Sequence, residues 1–138
     1  MREQTVDMLI SSAMNARLRS YSPYSNFSVG AALLTAEGKL YTGANIENAS
    51  FSPTICAERV AFHTAIHAGE KNFAAIAIVG GKVGEDIKAA TAPCGVCRQV
   101  MAEFCAPDFK IILFDGEEPI IYTLSELLPA GFGKGDLK

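Results

Sequence analysis

Seven consecutive apolar residues, Phe73 to Val79, run through the middle of the chain. A strand with one wet face alternates apolar and polar positions, so this unbroken run reads as a strand covered on both faces. Packed layers are therefore expected above and below it. It is also the longest apolar run, far short of the roughly 18 residues that cross a bilayer.

The flanking segments can supply those layers. Residues 4 to 18 read as a helix with Val6, Leu9, Ile10, Ala13 and Met14 on one stripe, stopped by the Ser-Pro at Pro23. Phe27, Val29, Ala31 and Leu33 alternate as a strand, and the turn Ala36-Glu37-Gly38 leads to a second strand, Lys39 to Ile46. Residues 55 to 68 read as a helix opened by Pro53 and Thr54 and closed by Gly69. Its apolar residues fall on most sides, which predicts a central, buried helix. After the Phe73–Val79 strand come a glycine-rich loop, a helix from Cys94 to Phe104, and strands at Lys110–Phe114 and Pro119–Thr123. A short helix at Ser125–Leu128 and a glycine-rich tail complete the chain. The order α-β-β-α-β-α-β-β-α predicts an α/β fold, a mixed sheet with helices packed on it, over a single domain spanning residues 1–138.

Composition narrows the function classes. Apolar residues make up 49% of the 138, charged residues 20%, and mean hydropathy is +0.20, more apolar surface than one small monomer hides. Self-association is expected. A net charge of −3 argues against nucleic acid or an anionic membrane as the main partner. Glu3 and Asp7 interrupt any secretory signal, so a soluble, cytoplasmic location is expected. Four cysteines in such a chain read as metal ligands or free thiols, not as a disulfide framework.

Cys56-Ala57-Glu58 and Pro93-Cys94-Gly95-Val96-Cys97 both fall at predicted helix N-termini. Cys94 and Cys97 are three apart, so in a first helical turn their sulfurs point the same way. Cys56 can join them as a third ligand. Three protein ligands with an open fourth position describe a catalytic zinc, whereas a structural site needs a fourth. Cys105 lies two helical turns beyond Cys97, roughly 12 Å away along the axis, too far to close the site. Three thiolates leave Zn²⁺ with a formal charge of −1, which opposes acidification of a bound water. Two helix N-termini and a hydrogen bond from Arg59 would withdraw part of that charge. Glu58, desolvated and unligated, could then take the water's proton.

Simpler readings compete. A single buried cysteine is usually a small hydrophobe, which suits Cys105 beside Phe104. A bare C-x-x-C also fits a redox pair, but that explains neither Cys56 nor Glu58. His63 and His67 lack the Glu of H-E-x-x-H and read as surface or packing residues. Gly80, Gly81 and Gly84 do not match G-x-G-x-x-G and read as a turn.

Over nearly its whole length the chain resembles the small, homotetrameric, zinc-dependent cytidine deaminases. The matching stretches are Pro23–Phe27 with Val29–Ala32, Gly43–Ala49, Cys56–Arg59 and Pro93–Gln99, with a similar tail at Leu127–Pro129 and Phe132. The resemblance implies a three-layer α/β/α fold with a five-stranded mixed sheet and one Zn²⁺ per subunit on Cys56, Cys94 and Cys97. It implies hydrolytic deamination of cytidine and 2′-deoxycytidine in pyrimidine salvage. Zinc hydroxide would attack C4 while Glu58 shuttles the proton to N3 and then to departing ammonia. Asn45 and Glu47 would hold the ribose hydroxyls, Phe27 would stack on the pyrimidine, and the Ala57 backbone would read the base edge. Arg59 and Gln99 would support the ligands, and Phe132 would reach into a neighbouring subunit's site. Many relatives carry Tyr where this chain has Phe51, so a hydrogen bond from that hydroxyl is absent.

Three other functions fit parts of the same pattern. A deaminase for a modified cytosine nucleoside is disfavoured by the Asn45–Glu47 pair, which suits a free ribose. A nucleic-acid editor needs a basic groove with interleaved aromatics, which is not found. A zinc-stabilised binding module without turnover has no use for a carboxylate such as Glu58 beside an open metal position.

Overall fold

In the computed structural model, which describes residues 1–137, the order is α1 (Glu3–Arg17), β1 (Phe27–Thr35), β2 (Leu40–Ala44), α2 (Ala57–His67), β3 (Phe73–Lys82), α3 (Gly95–Phe104), β4 (Lys110–Phe114), β5 (Pro119–Thr123) and α4 (Leu124–Leu127). A 3-10 turn, Lys134–Leu137, follows. The strands form one sheet of order β2-β1-β3-β4-β5. Only β3 and β4 run parallel; the other neighbours are antiparallel. A parallel pair requires a crossover, and that connection carries α3.

The uninterrupted apolar run lies at the centre of the sheet and is covered on both faces. Ala75, Ala77 and Val79 pack with Val6, Leu9, Ile10 and Ala13 of α1. Ile76 and Ile78 face the other way, toward Ala61, Phe62 and Ala65 of α2 and Met101 of α3. Helices therefore flank the sheet on both sides, as the three-layer expectation requires. Each fully buried isoleucine side chain contributes about 1.5–3 kcal/mol of transfer free energy. The small side chains at 75 and 77 let α1 approach closely. Gly30 lets it closer still, because a Cβ there would lie 2.0 Å from the Ala13 carbonyl oxygen.

Five expectations need correction. The glycines after Val79 do not open a loop at once: β3 continues through Gly80 and Gly81 to Lys82, paired with Phe27–Val29 of β1. The second strand ends at Ala44, not Ile46, because Ile46 leaves the β1 ladder to bridge Tyr21 and Ile55 instead. That bridge holds Ile55 extended, so α2 begins at Ala57 with Cys56 as its N-cap. Nor is α2 buried all round: Ala57, Glu58, Ala61, Phe62 and Ala65 are covered, while His63, Thr64 and His67 face outward. A helix on the outside of one sheet layer has only one face to bury. The first helix ends at Arg17, short of residue 18 and well before Pro23.

Candidate metal and catalytic site

Two helix starts converge. Cys56 is the N-cap of α2, Cys94 is the N-cap of α3, and Cys97 lies in the first turn of α3. Gly43 sets the height of α2 on the sheet, since a Cβ there would lie 2.5 Å from the Ala57 carbonyl oxygen and 2.6 Å from the Ala61 nitrogen. The Sγ atoms of Cys56 and Cys94 are 3.9 Å apart, those of Cys94 and Cys97 are 3.6 Å apart, and all three lie within 4.8 Å of one another. Tetrahedral coordination with Zn–S near 2.3 Å places sulfurs about 3.8 Å apart, so the three thiols fit a zinc ion. They are the one such cluster among the described residues. Cys105 at the end of α3 stands outside it, its thiol pushed up to about 12 by burial.

The environment favours thiolates. Each N-capping sulfur sits where free backbone N–H groups and the helix dipole stabilise negative charge. Arg59 Nη2 donates to Cys56 Sγ at 3.5 Å. The Cys56 thiol is lowered to about 5, chiefly by a hydrogen bond from Cys97, with Arg59 and Cys94 adding to it against the cost of burial. Cys97, giving that bond, is raised. Arg59 Nε is buried without a partner, a sign that this guanidinium is placed for the sulfur and not for its own satisfaction.

Glu58 is only 4% exposed. Its carboxyl is raised to about 7, chiefly by desolvation with the Cys56 charge adding to it, while its own amide and Cys97 oppose the shift. That is the range a group needs to accept and return a proton near neutrality. Ala57 is fully buried at the first position of α2, where a backbone N–H has no acceptor within the helix.

Asn45 and Glu47 brace the segment that carries Phe27. Asn45 Nδ2 donates to the Phe27 carbonyl at 2.9 Å, and its Oδ1 accepts from the Val29 amide and the Ser20 hydroxyl. Glu47 Oε1 accepts from the Tyr24 and Ser25 amides at 3.0 and 3.1 Å, and its Oε2 accepts from the Ser25 hydroxyl. These bonds, the hydroxyl's first, hold the Glu47 pKa below its ordinary value. What remains is one N–H on Asn45 and one lone pair on Glu47 Oε2. The pair offers a donor beside an acceptor, which complements a hydroxyl group. Glu47 lines a cavity of about 270 Å³ with Tyr24, Ser25 and Phe51. The Phe27 ring lies close over Gly80, beside Thr91 on the approach to Cys94.

In the middle of α3, two residues past Cys97, Gln99 Nε2 donates to the Phe132 carbonyl at 2.8 Å, and the Phe132 side chain is exposed. Arg98, whose sequence position signals no such role, joins the Pro93 carbonyl to that of Leu127. Ser25 was likewise missed. Its signal was the turn-forming Tyr24-Ser25-Asn26 before a strand, with Asn26 in the left-handed region at φ 58°. His63 and His67 are exposed and lie outside the cluster, as expected.

Three thiols on converging helix starts, beside a buried carboxylate on an α/β/α frame, define the zinc-dependent deaminase class. Residues 3–113 match the family model described as the cytidine and deoxycytidylate deaminase zinc-binding region. The chain is 44% identical over 133 residues to the cytidine deaminase of Sporosarcina psychrophila, covering 96% of this chain and 94% of that protein. It is 48% identical over 131 residues to that of Halalkalibacterium halodurans, covering 94% and 96%. The crystal structure of cytidine deaminase from Burkholderia pseudomallei superposes with a TM-score of 0.83 at 42% identity, covering 96% of this chain and 100% of that one. The chain belongs to the cytidine deaminase family.

Proposed function

We propose that the protein hydrolyses cytidine and 2′-deoxycytidine to uridine and 2′-deoxyuridine, releasing ammonia, in pyrimidine salvage. The observation that carries the reading is Glu58, buried and held near neutrality beside three converging thiols. Cys56, Cys94 and Cys97 would hold zinc, which when bound supplies a Lewis acid that acidifies water at the open position. Glu58 accepts the water's proton and delivers it to N3 as the C4–O bond forms. It then takes the new hydroxyl's proton to the C4 amino group, so that the C4–N bond breaks and ammonia leaves. The Ala57 N–H reads the base edge, Phe27 stacks on the ring, and the donor–acceptor pair of Asn45 and Glu47 takes the ribose hydroxyls. Arg59 steadies the Cys56 thiolate.

The same reading has the chain act as one cytoplasmic catalytic domain, assembled as a homotetramer in which Phe132 enters a neighbour's site. Exposed Phe51, Phe132 and Tyr24 support that assembly. No helix among the described residues is long and apolar enough to cross a membrane.

The test is the ultraviolet absorbance of cytidine with purified, zinc-loaded protein. Steady conversion that stops on chelation is the expected result. No conversion at full zinc loading overturns the assignment. For the assembly, mixed oligomers of Phe132→Ala and Glu58→Ala chains should recover activity that the Glu58→Ala homo-oligomer lacks and the Phe132→Ala homo-oligomer has only in part.

A further inference from the structure

The tail after α4 is built in detail, yet what it presents is an exposed aromatic ring. Ala130 sits in the left-handed region at φ 53°, which a side chain with a Cβ rarely adopts. Gly131 folds back so tightly that a Cβ there would lie 2.7 Å from Leu128 Cγ. The Gly133 amide is held by Asp136 Oδ2 at 2.8 Å, and Lys134 reaches Glu103 of α3 at 3.9 Å. Between these points Phe132 is 58% exposed. Burial of that ring does not repay the strain, so the ordered backbone serves to aim it.

Two neighbouring side chains of α3 connect the tail to the ligand loop. Arg98 Nε donates to the Pro93 carbonyl at 2.7 Å, the residue before the ligand Cys94. Its Nη1 donates to the Leu127 carbonyl at 2.6 Å, where the tail leaves α4. Gln99 Nε2 holds the Phe132 carbonyl itself at 2.8 Å. A planar guanidinium can make both of its bonds at once, whereas an ammonium is a single point charge without that fork. The exposed Lys134–Glu103 pair adds little.

We propose that Arg98 and Gln99 are positioning residues, a two-point clamp that fixes the tail to the metal-ligand loop and thereby sets where Phe132 meets nucleoside. Its catalytic consequence rests on the reading of Phe132 given above; the clamp itself does not. Neither side chain touches the reacting atoms in this role. Both act through the backbone of the tail.

The experiment compares Gln99→Glu, which keeps the size but replaces the amide donor with an acceptor, and Arg98→Lys with the parent protein. Amide hydrogen exchange at residues 131–133 should rise in both variants while zinc content stays unchanged. Loss of one such bond should raise KM for cytidine about three- to tenfold with little change in kcat. In a Phe132→Ala background, Gln99→Glu should add no further KM effect. Unaltered exchange at 131–133 overturns the clamp. Additive KM effects in the double variant overturn its action through Phe132. Absence of cytidine turnover in the parent refutes the functional reading alone, because the exchange measurement uses no substrate.

Discussion

Asn45 is bonded to the backbone on both sides of Ser28, the residue after Phe27: its Nδ2 donates to the Phe27 carbonyl and its Oδ1 accepts from the Val29 amide, each at 2.9 Å. The residue assigned to the sugar therefore also fixes the strand start that carries the ring assigned to the base. Asn45→Ala removes both bonds and leaves a strand donor and acceptor unpaired. The expected cost is about 1–3 kcal/mol of stability together with a raised KM for cytidine. Thermal melting and steady-state kinetics on one preparation check it, and a KM change with unaltered melting would remove the bracing role.

Glu58→Gln separates proton transfer from metal binding. Zinc content should stay at the parent level while kcat falls by on the order of 10²–10⁴-fold. Metal-free protein tests the burial effect. The folded carboxyl near 7 lies above its ordinary 4.5, so the folded state binds the proton more tightly. Its contribution is fully present below about 4.5 and is lost as pH rises through about 7. The melting advantage of Glu58→Gln over the parent should therefore grow between pH 5 and pH 8, to about 3 kcal/mol at most. The Cys56 thiolate repels the ionised carboxylate, so its charge adds to that growth. A flat difference would sink the account of Glu58 as a desolvated acid.

Cys94→Ser should release the metal and lower the melting temperature. A site filled at a hundredfold excess over its dissociation constant stabilises by about 2.7 kcal/mol. Cys105→Ser, outside the cluster, should retain zinc. Metal analysis of both variants checks the ligand set, and a zinc deficit in Cys105→Ser would contradict it.

Local pattern was readable; pairing and shared roles were not. The Phe73–Val79 run and the stripe of α1 depend on residues close in sequence, and both appear in the core as expected. The extension of β3 through Gly80 and Gly81 depends on Phe27–Val29, some fifty residues away, which no local period encodes. The three-thiol cluster was legible because thiols at helix starts carry a chemistry few other arrangements need. Asn45 as a brace and Arg98 as a bridge were hidden for a different reason: each donates to or accepts from backbone groups of a distant segment, and every segment has such groups.

Gly43 and Gly95 should respond oppositely to alanine. At Gly43 the new Cβ would lie 2.5 Å from the Ala57 carbonyl oxygen and 2.6 Å from the Ala61 nitrogen, both backbone atoms of α2. The helix must then rise off β2 and carry Cys56 and Glu58 away from Cys94 and Cys97. Gly43→Ala should cost about 1–3 kcal/mol and weaken zinc retention along with kcat. At Gly95, the first residue of α3, nothing among the described residues beyond the adjoining residues and the helix's own backbone lies within 4 Å of the Cβ position. Alanine there restricts the unfolded chain without a clash, so Gly95→Ala should retain zinc and gain up to about 1 kcal/mol. Melting curves and chelator competition on the two variants check both. If Gly43→Ala keeps parental zinc affinity despite lower stability, the height of α2 on the sheet does not set the geometry of the ligands.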